Sequence, residues 1–370
     1  PWQRDDRAGV PEPEDEPQPL AVDCHDWHGA RVVRLALPPR SWRVHHDAAV
    51  EAFCRWWLPQ EGFELIHAHC MQVLSAAPLL VARQLAIPYA ITLHDGWWLS
   101  PRQFLTTASG QPVDLADPVS HYDAPDLQPP ELLEADRQRR RDLEAVLAGA
   151  AARVAVSEPF AVLHRQAGIT AVEVMENRWQ PMPAASRRRH RQPGEPLRAC
   201  FVGGMSLHKG LAVLQAALLQ ADLPAPGLRL TLVDASLEAD QQLRFTWGST
   251  PVQVVPSVPM EAMATFYAEH DLLIAPSIWP ESYGLVTREA LSAGLWVVAS
   301  EIGALADPIR HGLNGHRIPP RDPAALAAVL EQLCARPPQP QPLLAFPAVQ
   351  PPLHQELEDL YGRLLADPRP

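Results

Sequence analysis

Residues 275–294 read APSIWPESYGLVTREALSAG, and this stretch decides how the second half of the chain is interpreted. An apolar run ends at Ala275, a loop with two prolines follows, and Gly284 stands where a helical pattern begins. A helix that starts there can direct the backbone N–H groups of Tyr283, Gly284 and Leu285 together towards an anion. The stretch therefore predicts a strand, an anion-binding turn and a helix in succession.

Two glutamates lie in this stretch, one in the loop and one in the helix. Glu281 falls in the loop, and Glu289 falls about one and a half turns into the helix, so both carboxylates can face one site. Carboxylates beside a phosphate-binding turn fit a ligand that has both hydroxyl groups and phosphate. The alternative is that Glu281 is an ordinary loop charge and that Glu289 is a solvated helix residue.

An earlier stretch, RACFVGGMSLHKG at residues 198–210, shows the same order of strand, loop and helix start. Gly203 and Gly204 permit a ligand to approach the backbone closely, and Lys209 can neutralise a diphosphate. The glycine spacing is not that of a Walker loop. Taken alone, the motif is better interpreted as a surface lysine at a helix start than as a diphosphate-binding residue.

Outward from these motifs, short apolar runs alternate with helical patterns, which is typical of parallel α/β units. The predicted strands are residues 31–37, 64–67, 89–93, 153–156, 172–175, 198–202, 229–233, 252–255, 272–275 and 296–299. The predicted helices are residues 48–58, 75–85, 131–149, 211–221, 262–270, 285–293, 323–335 and 353–365. The chain is therefore predicted to form two Rossmann-like halves.

Composition sets the expected domain bounds. Residues 2–19 are acidic, rich in proline and nearly without apolar side chains, so a mobile leader is expected at the front. The predicted parts are a mobile leader over 1–30, an incomplete N-terminal Rossmann-like domain over 31–180, a linker over 181–196, a C-terminal Rossmann-like domain over 197–336, and a proline-rich stretch with a terminal helix over 337–370.

The ordered motifs between Cys200 and Leu333 resemble the C-terminal half of retaining glycosyltransferases of the GT4 family. The resemblance rests on Glu281 and Glu289, eight positions apart, and on the Lys-Gly loop at Lys209. Members of that family have the GT-B fold, in which two Rossmann-like parallel-sheet domains face a cleft. The resemblance implies this α/β fold here, with the nucleotide of the donor on the C-terminal domain.

The same resemblance implies roles for individual residues. Glu289 would bind the ribose hydroxyls, Glu281 would contact the donor sugar, and Lys209 would hold the diphosphate. The expected donor-binding residues are Gly203, Gly204, Lys209, Ser282, Tyr283, Gly284, Leu285 and Glu289. No metal and no cofactor beyond the nucleotide-sugar co-substrate are implied. One departure concerns Gly204, where the family has an arginine, so one positive charge at the leaving group is missing.

The N-terminal half offers histidines after two predicted strands. His67 and His69 lie in ELIHAHC, and His94 and Asp95 lie in ITLHDGWW, so all should stand at the carboxyl edge of a sheet. Structural histidines, or zinc ligation by His67 and His69, are the alternatives. By resemblance, His94 reaches the donor sugar and is catalytic together with Glu281, for which a covalent nucleophile is the alternative role.

Three residues are candidates for the acceptor side: His69, Asp95 and Trp97. The aromatic face of Trp97 suits the C–H surface of a sugar, and the alternative is that Trp97 fills the domain core. A cluster of arginines, Arg137, Arg139, Arg140 and Arg141, interleaves with acidic residues on a predicted helix. A solvated helix face is expected there, and a contact with an anionic membrane surface is the alternative.

Composition also excludes some classes of function. The 370 residues contain 31 lysines and arginines against 43 aspartates and glutamates, a formal net charge of −12, so nucleic acid is not an expected partner. The five cysteines are scattered singly, which fits a reducing cytoplasm, with peripheral membrane association as the alternative. No apolar run approaches the roughly 20 residues that span a bilayer.

The function implied is transfer of a sugar, with retention, from a nucleotide-diphosphate sugar to a hydroxyl group of a glycan or lipid-linked acceptor in glycan or polysaccharide synthesis. The alternatives are a non-catalytic nucleotide-sugar binding or regulatory protein and a GT-B nucleotide-sugar epimerase. GT4 enzymes begin with a strand, a glycine-rich loop, a helix and a second strand before anything that resembles residues 31–37. Several tens of residues are therefore expected to precede the present sequence.

Overall fold

The computed structural model describes residues 20–39, 41–179, 182, 191–338 and 352–366. The chain divides into two compact units. The N-terminal unit contains Pro1–Glu176 and Pro352–Pro370, and the C-terminal unit contains Asn177–Pro351. Most of the predicted linker and of the predicted proline-rich stretch lies outside the described residues.

The N-terminal unit is built on a four-stranded parallel sheet of order β3-β4-β5-β6. Its strands are β1 (Ala21–Trp27), β2 (Ala30–Ala36), β3 (Ile66–His69), β4 (Tyr89–Leu93), β5 (Ala152–Ala155) and β6 (Val172–Val174). Its helices are α1 (Ala48–Glu61), α2 (Ala77–Gln84), α3 (Pro130–Ala148), α4 (Glu158–Gln166) and α9 (Leu353–Ala366). Every residue of β4 is buried, as expected for an interior strand of a parallel sheet.

The front of the described chain differs from the prediction. Strands β1 and β2 pair as an antiparallel hairpin that forms a separate two-stranded sheet. The predicted leader is therefore wrong over residues 21–30, and the predicted strand 31–37 does not open the parallel series. Leu35 and Leu37 pack against the cluster formed by α1 and α2, which gives the hairpin an apolar support that composition did not reveal.

The last helix, predicted as an appendage, belongs to the N-terminal unit. Leu360 of α9 is 1% exposed and packs with Ala90, Ala152 and Val154 on the parallel sheet. Burying one leucine side chain of this kind contributes about 2 kcal/mol. Helix α9 therefore covers part of this sheet, although the whole C-terminal unit separates it from β6 along the chain.

The C-terminal unit contains a seven-stranded sheet of order β13-β12-β11-β7-β8-β10-β9. Its strands are β7 (Leu197–Val202), β8 (Leu228–Val233), β9 (Leu243–Trp247), β10 (Thr250–Val255), β11 (Leu272–Ala275), β12 (Trp296–Ser300) and β13 (Gly315–Ile318). Its helices are α5 (Leu211–Gln220), α6 (Met260–Ala268), α7 (Leu285–Ser292) and α8 (Pro323–Ala335). All pairings are parallel except that of β9, which is antiparallel to β10 at the edge.

The strand order of the C-terminal unit places two loops side by side. The chain starts at β7 and builds outwards on one side through β8 and β10, then on the other through β11, β12 and β13. The order reverses between β7 and β11, and ligands of open α/β sheets bind beyond the carboxyl ends of strands at such a switch point. The loops after β7 and β11 are the two motifs that the sequence singled out.

Besides β1, one helix and two strands escape the sequence pattern. Helix α4 has nine residues, but Ser157 accepts from the Phe160 N–H as an N-cap and a proline stands in its first turn, signals that could have located it. Strands β9 and β13 are edge strands of four or five residues, and β9 is exposed at every residue except its last. Within the described part of the chain, every helix is too short or too polar to cross a membrane.

Candidate functional site

The lysine loop, residues 203–210, connects β7 to α5 at the switch point. Gly203 and Gly204 follow β7 directly and have φ angles of 137° and 78°. At the far end of the loop, a Cβ atom on Gly210 would stand 1.8 Å from the carbonyl oxygen of Pro276. Only glycine fits at that distance, so the lysine loop and the loop after β11 pack backbone to backbone.

Lys209 and Glu281 form an ion pair between these two loops. Lys209 Nζ lies 2.7 Å from Glu281 Oε1, although 72 positions separate the two residues. Glu281 is 6% exposed, and the Lys209 side chain is 24% exposed. A nearly buried carboxylate requires a compensating charge, which Lys209 supplies while remaining in reach of solvent.

The backbone of Glu281 is fixed by the loop that follows β12. The Ala304 N–H donates to the Glu281 carbonyl at 2.9 Å. A Cβ atom on Gly303 would lie 2.4 Å from the same carbonyl oxygen, so the two loops are in direct contact. Glu281 is therefore held by three loops that all follow central strands of the sheet.

The N-terminus of α7 has the predicted strand, loop and helix order. Gly284 takes the left-handed conformation at φ 76°, and no side chain caps the first turn. The guanidinium carbon of Arg288 lies 3.9 Å from the centre of the buried Tyr283 ring, and Arg288 donates to the Tyr283 carbonyl. Ser282 is half-buried and Leu285 is exposed. The helix dipole and Arg288 both place positive charge at this turn.

Glu289 lies on α7 and contacts α6. The Tyr267 hydroxyl donates to Glu289 Oε2 at 3.2 Å, and Tyr267 itself is completely buried. Burial raises the pKa of Glu289 above its ordinary value, and the hydrogen bond from Tyr267 opposes that shift. Burial also raises the pKa of Tyr267, which therefore stays a donor. A carboxylate has about four acceptor positions, so capacity remains for ligand hydroxyls.

Asp234 is a site residue that the sequence interpretation missed. It follows β8 and is 8% exposed, and its carboxylate accepts from the N–H and the hydroxyl of Ser236 at 3.0 and 2.9 Å. A Cβ atom on Gly204 would lie 3.8 Å from Asp234 Oδ1. A buried negative charge therefore borders the lysine loop. The signal was available, since Asp234 comes directly after the predicted strand 229–233.

In the N-terminal unit, the predicted histidines meet at the carboxyl edge of the parallel sheet. His69 Nδ1 lies 2.8 Å from His94 Nε2, which brings together the ends of β3 and β4. The ring centres of His67 and His69 are 4.3 Å apart. Burial, reinforced by the neighbouring rings, lowers the pKa of His67 and His94 to about 4, and burial lowers that of His69. All three rings are therefore neutral at pH 7.

Hydroxyl groups occupy both ring nitrogens of His67. Nδ1 lies 2.7 Å from the Tyr361 hydroxyl on α9, and Nε2 lies 2.8 Å from Thr92 Oγ1 on β4. In the described ranges, no cluster of three or more histidine, cysteine, aspartate or glutamate side chains is placed to hold a metal ion. The alternative of zinc ligation by His67 and His69 therefore gains no support from this arrangement.

Asp95 holds the turn that follows His94. Its carboxylate accepts from the Trp97 N–H at 2.9 Å and from the amide groups of Gln72 and Gln103 at 3.0 and 3.2 Å. Burial raises the pKa of Asp95 to about 6, against the effect of these hydrogen bonds. The contacts of Asp95 are thus with its own loop and with the segment after β3, and no acceptor-binding role is needed to explain them.

Trp97 fills the core of its unit. It is 0% exposed, its indole N–H donates to the Trp42 carbonyl at 2.9 Å, and the Arg139 guanidinium carbon lies 5.0 Å from its ring centre. A ring enclosed in this way has no free face for a sugar. Of the two alternatives drawn from the sequence, the core position is therefore correct, and the acceptor-side assignment of Trp97 is wrong.

The arginine cluster on α3 is only partly a solvated face. Arg137 and Arg141 are exposed, but Arg139 and Arg140 are 2% and 7% exposed. Arg139 donates to the Trp97 carbonyl at 2.6 Å, and Arg140 donates to a carbonyl of the same loop at 3.0 Å. The expectation of a solvated or membrane-facing cluster is therefore wrong for these two residues, which anchor the loop after His94.

The fold and the site define a class. The two units are built on parallel sheets, and Lys209 meets Glu281 at the switch point of the second, as the resemblance to GT-B glycosyltransferases led us to expect. Residues 196–336 match the family model described as Glycosyl transferases group 1. The resemblance inferred from the sequence is thereby confirmed.

Similar sequences carry glycosyltransferase names. The chain is 32% identical over 171 residues to the D-inositol 3-phosphate glycosyltransferase of Thermobispora bispora, an alignment that covers 42% of this chain and 40% of the relative. The protein of the same name from Nocardia farcinica is 30% identical over 268 residues, with 70% and 51% covered. Glycogen synthase of Mycobacterium tuberculosis is 30% identical, with 45% and 40% covered. The chain thus spans about half or less of these curated relatives.

Solved structures agree on the fold. Sucrose-phosphate synthase from Thermosynechococcus elongatus matches with a TM-score of 0.61 at 19% identity, covering 96% of this chain and 87% of that one. Anabaena HepE, solved with UDP and glucose, matches with a TM-score of 0.57 at 17% identity, covering 85% and 82%. At these identities the likeness concerns fold alone, and it confirms the expected GT-B fold.

Proposed function

We propose that the protein is a retaining glycosyltransferase that moves a sugar from a nucleotide-diphosphate sugar to a hydroxyl group of a glycan or lipid-linked acceptor. The observation that carries the proposal is the contact of 2.7 Å between Lys209 Nζ and Glu281 Oε1 at the switch point. Two residues that the family resemblance assigns to one donor are thus neighbours in space. The curated relatives, named D-inositol 3-phosphate glycosyltransferase and glycogen synthase, support the same class of reaction.

The donor diphosphate is proposed to lie between the lysine loop and the N-terminus of α7. Lys209 has three ammonium protons, so it can contact a phosphate oxygen and keep its bond to Glu281. The unaided first turn at Gly284 adds the positive end of the helix dipole. Glu289, with one oxygen engaged by Tyr267, accepts hydrogen bonds from the two ribose hydroxyls.

The chemical step is a substitution at the anomeric carbon. The bond from that carbon to the diphosphate oxygen breaks, and its electron pair stays on the diphosphate. The acceptor oxygen forms the new bond on the same face, and its proton passes to the leaving diphosphate oxygen. Lys209 and the α7 turn stabilise the charge that develops there, while Glu281 hydrogen-bonds the sugar. The further role of His94 at the donor sugar is the one that the family resemblance implies.

Metal independence is part of the proposal. The positive charges that a divalent cation would otherwise supply are assigned to Lys209, to the α7 turn and to Arg288 beneath that turn. The expected result is that EDTA leaves the initial rate unchanged. A rate that disappears with EDTA and returns with Mg²⁺ or Mn²⁺ would contradict this part of the proposal and leave the transfer reaction standing.

The test is an assay of the full chain with radiolabelled UDP-glucose, GDP-mannose and ADP-glucose. UDP-glucose comes first because HepE, of the same fold, was also solved with that molecule. We expect release of a nucleoside diphosphate together with free or transferred sugar, and an α-linked product from an α-linked donor. Lys209→Met serves as the donor-site variant and should abolish release.

Two other outcomes assign the protein elsewhere. Tight donor binding without release of nucleoside diphosphate from any donor would identify a binding or regulatory protein. An isomerised sugar that remains attached to its nucleotide would identify an epimerase. An inverted product would contradict retention while leaving glycosyl transfer in place.

A further inference from the structure

We propose that His69, supported by helix α9 through Tyr361 and His67, is the positioning residue that sets the orientation and tautomer of His94. The inference rests on the proposed function, in which His94 contacts the donor sugar. It goes beyond that function because it assigns to a helix at the far end of the chain a part in placing a catalytic side chain.

The first observation is the direct contact between the two imidazoles. His69 Nδ1 and His94 Nε2 are 2.8 Å apart, so one of these nitrogens donates a proton to the other. A neutral imidazole has one N–H and one bare nitrogen. If Nε2 of His94 carries the proton, Nδ1 presents a lone pair to a ligand, and if Nε2 accepts from His69, Nδ1 presents a proton.

The second observation is that the His67 ring packs against His69 and is itself held in place. The ring of His67 lies against it with centres 4.3 Å apart, and His67 itself is held at both nitrogens by Thr92 and Tyr361. The Tyr361 ring also meets the His67 ring edge-on, with centres 5.6 Å apart. Each ring in the series is thus packed against the next, from α9 to β3 to the end of β4.

The third observation is that α9 is firmly attached to the N-terminal unit. Leu360, next to Tyr361, is buried against the parallel sheet. Arg363 Nη2 lies 2.9 Å from Glu173 Oε2 on β6. The Tyr361 hydroxyl therefore approaches His67 from a fixed position, as a positioning contact requires.

Charge supports the same arrangement. Burial, together with the neighbouring imidazoles, lowers the pKa of His67 and of His94 to about 4, so the series consists of neutral rings near pH 7. Neutral rings can share a hydrogen bond between ring nitrogens, whereas two imidazolium ions at this distance would repel.

The test compares His69→Asn with His69→Ala and Tyr361→Phe in the full chain. The asparagine side chain places a hydrogen-bonding atom close to the position of Nδ1, and alanine places none. We expect His69→Ala to lower kcat by about 100-fold, because a misplaced catalytic group loses about that factor. His69→Asn should retain kcat within about fivefold, and Tyr361→Phe should lose about fivefold, the equivalent of one hydrogen bond. The KM for the donor should change little.

A second readout does not depend on activity. The ring ¹⁵N resonances of His94 report which nitrogen carries the proton, and they should change in His69→Ala, change less in Tyr361→Phe and stay close to wild type in His69→Asn. Unchanged His94 resonances in His69→Ala would overturn the proposal, as would changed resonances with unaltered kcat. If the wild type transfers no sugar, the proposed function is refuted. A change of the His94 resonances in His69→Ala would even then support the positioning of His94 by His69.

Discussion

Replacement of Glu289 by glutamine should weaken nucleotide binding and at the same time stabilise the protein. Burial raises the pKa of Glu289 above 4.5, so the folded state holds this proton more tightly than the unfolded state does. The stabilising contribution of such a group is present below the unfolded pKa and is lost as pH rises through the folded pKa. At neutral pH the ionised carboxylate therefore lowers stability, and a neutral glutamine removes that effect.

The Tyr267 hydroxyl should make Glu289→Gln and Glu289→Ala differ in stability. Glutamine retains a carbonyl oxygen for the hydrogen bond of 3.2 Å from Tyr267, whereas alanine removes the acceptor of a completely buried hydroxyl. Leaving a buried donor unpaired costs about 1–3 kcal/mol. Glu289→Ala should therefore be destabilised by about that amount, while Glu289→Gln should be more stable than the wild type at pH 7.

Nucleotide binding should decrease in both variants. Hydrogen bonds from the ribose hydroxyls to a charged carboxylate contribute about 1.5–3 kcal/mol each, and those to a neutral amide about 1 kcal/mol. A net loss of about 2 kcal/mol corresponds to a UDP dissociation constant about 30-fold higher in Glu289→Gln. In Glu289→Ala, where both bonds are lost, about 3 kcal/mol corresponds to an increase above 100-fold.

Urea denaturation at pH 7 and pH 4 and calorimetric titration with UDP test these expectations together. If the first screen identifies another base, its nucleoside diphosphate replaces UDP. Glu261→Gln is the matched control, because Glu261 is an exposed carboxylate in the first turn of α6 and should affect neither stability nor binding strongly. The stability gain of Glu289→Gln should shrink at pH 4. A glutamine variant that is less stable at pH 7, or that binds UDP as tightly as the wild type, would refute the reasoning.

The remaining predictions concern other charged residues. Lys209→Met should raise the UDP dissociation constant about 100-fold, because a charge-assisted phosphate contact is lost. The same variant should lower the free energy of unfolding by about 1–2 kcal/mol, because Glu281 loses its partner. This cost is below that of a fully buried pair, since the Lys209 side chain is 24% exposed. Adding Glu281→Gln should restore stability in urea denaturation but not UDP affinity; restored affinity would contradict the assignment. Asp234→Asn should bind UDP about fivefold more tightly, since a buried negative charge beside the lysine loop is removed, and calorimetry showing equal or weaker binding would exclude that role. Arg139→Met should lose about 2 kcal/mol of stability with its bond to the Trp97 carbonyl, and an unchanged urea midpoint would show that this anchor is dispensable.

The C-terminal unit could be predicted closely because its elements are local and regular. Strand β11 and helix α8 occupy the predicted residues, 272–275 and 323–335, and the loops after β7 and β11 fall where the sequence placed them. A parallel strand that is buried on both faces is a short apolar run in the sequence, and such a run can be recognised without knowing how the strand packs. The switch point then follows from the strand order of a Rossmann sheet, so the two candidate loops could be expected to meet.

Contacts across long sequence separations could not be predicted in the same way. The ion pair of Lys209 with Glu281 joins residues 72 positions apart, and the contact of Tyr361 with His67 joins residues 294 positions apart. Neither leaves a periodic signal, because each depends on where a whole element docks. The resemblance to a family gave the two donor residues roles but no geometry, and it gave no role to α9.

The arginines of α3 show that a missed feature can still leave a readable pattern. Two apolar residues of this helix, Leu143 and Leu147, face the core and are four residues apart. The helical spacing of three or four residues continues towards the N-terminus through Arg139 and Asp136. All four are buried on one face. A charged residue that continues an apolar helix face must find partners in the interior. Arg139 donates to the carbonyl of Trp97, three residues after His94. The helix that was predicted to present a solvated face therefore anchors the loop that begins at the candidate catalytic histidine.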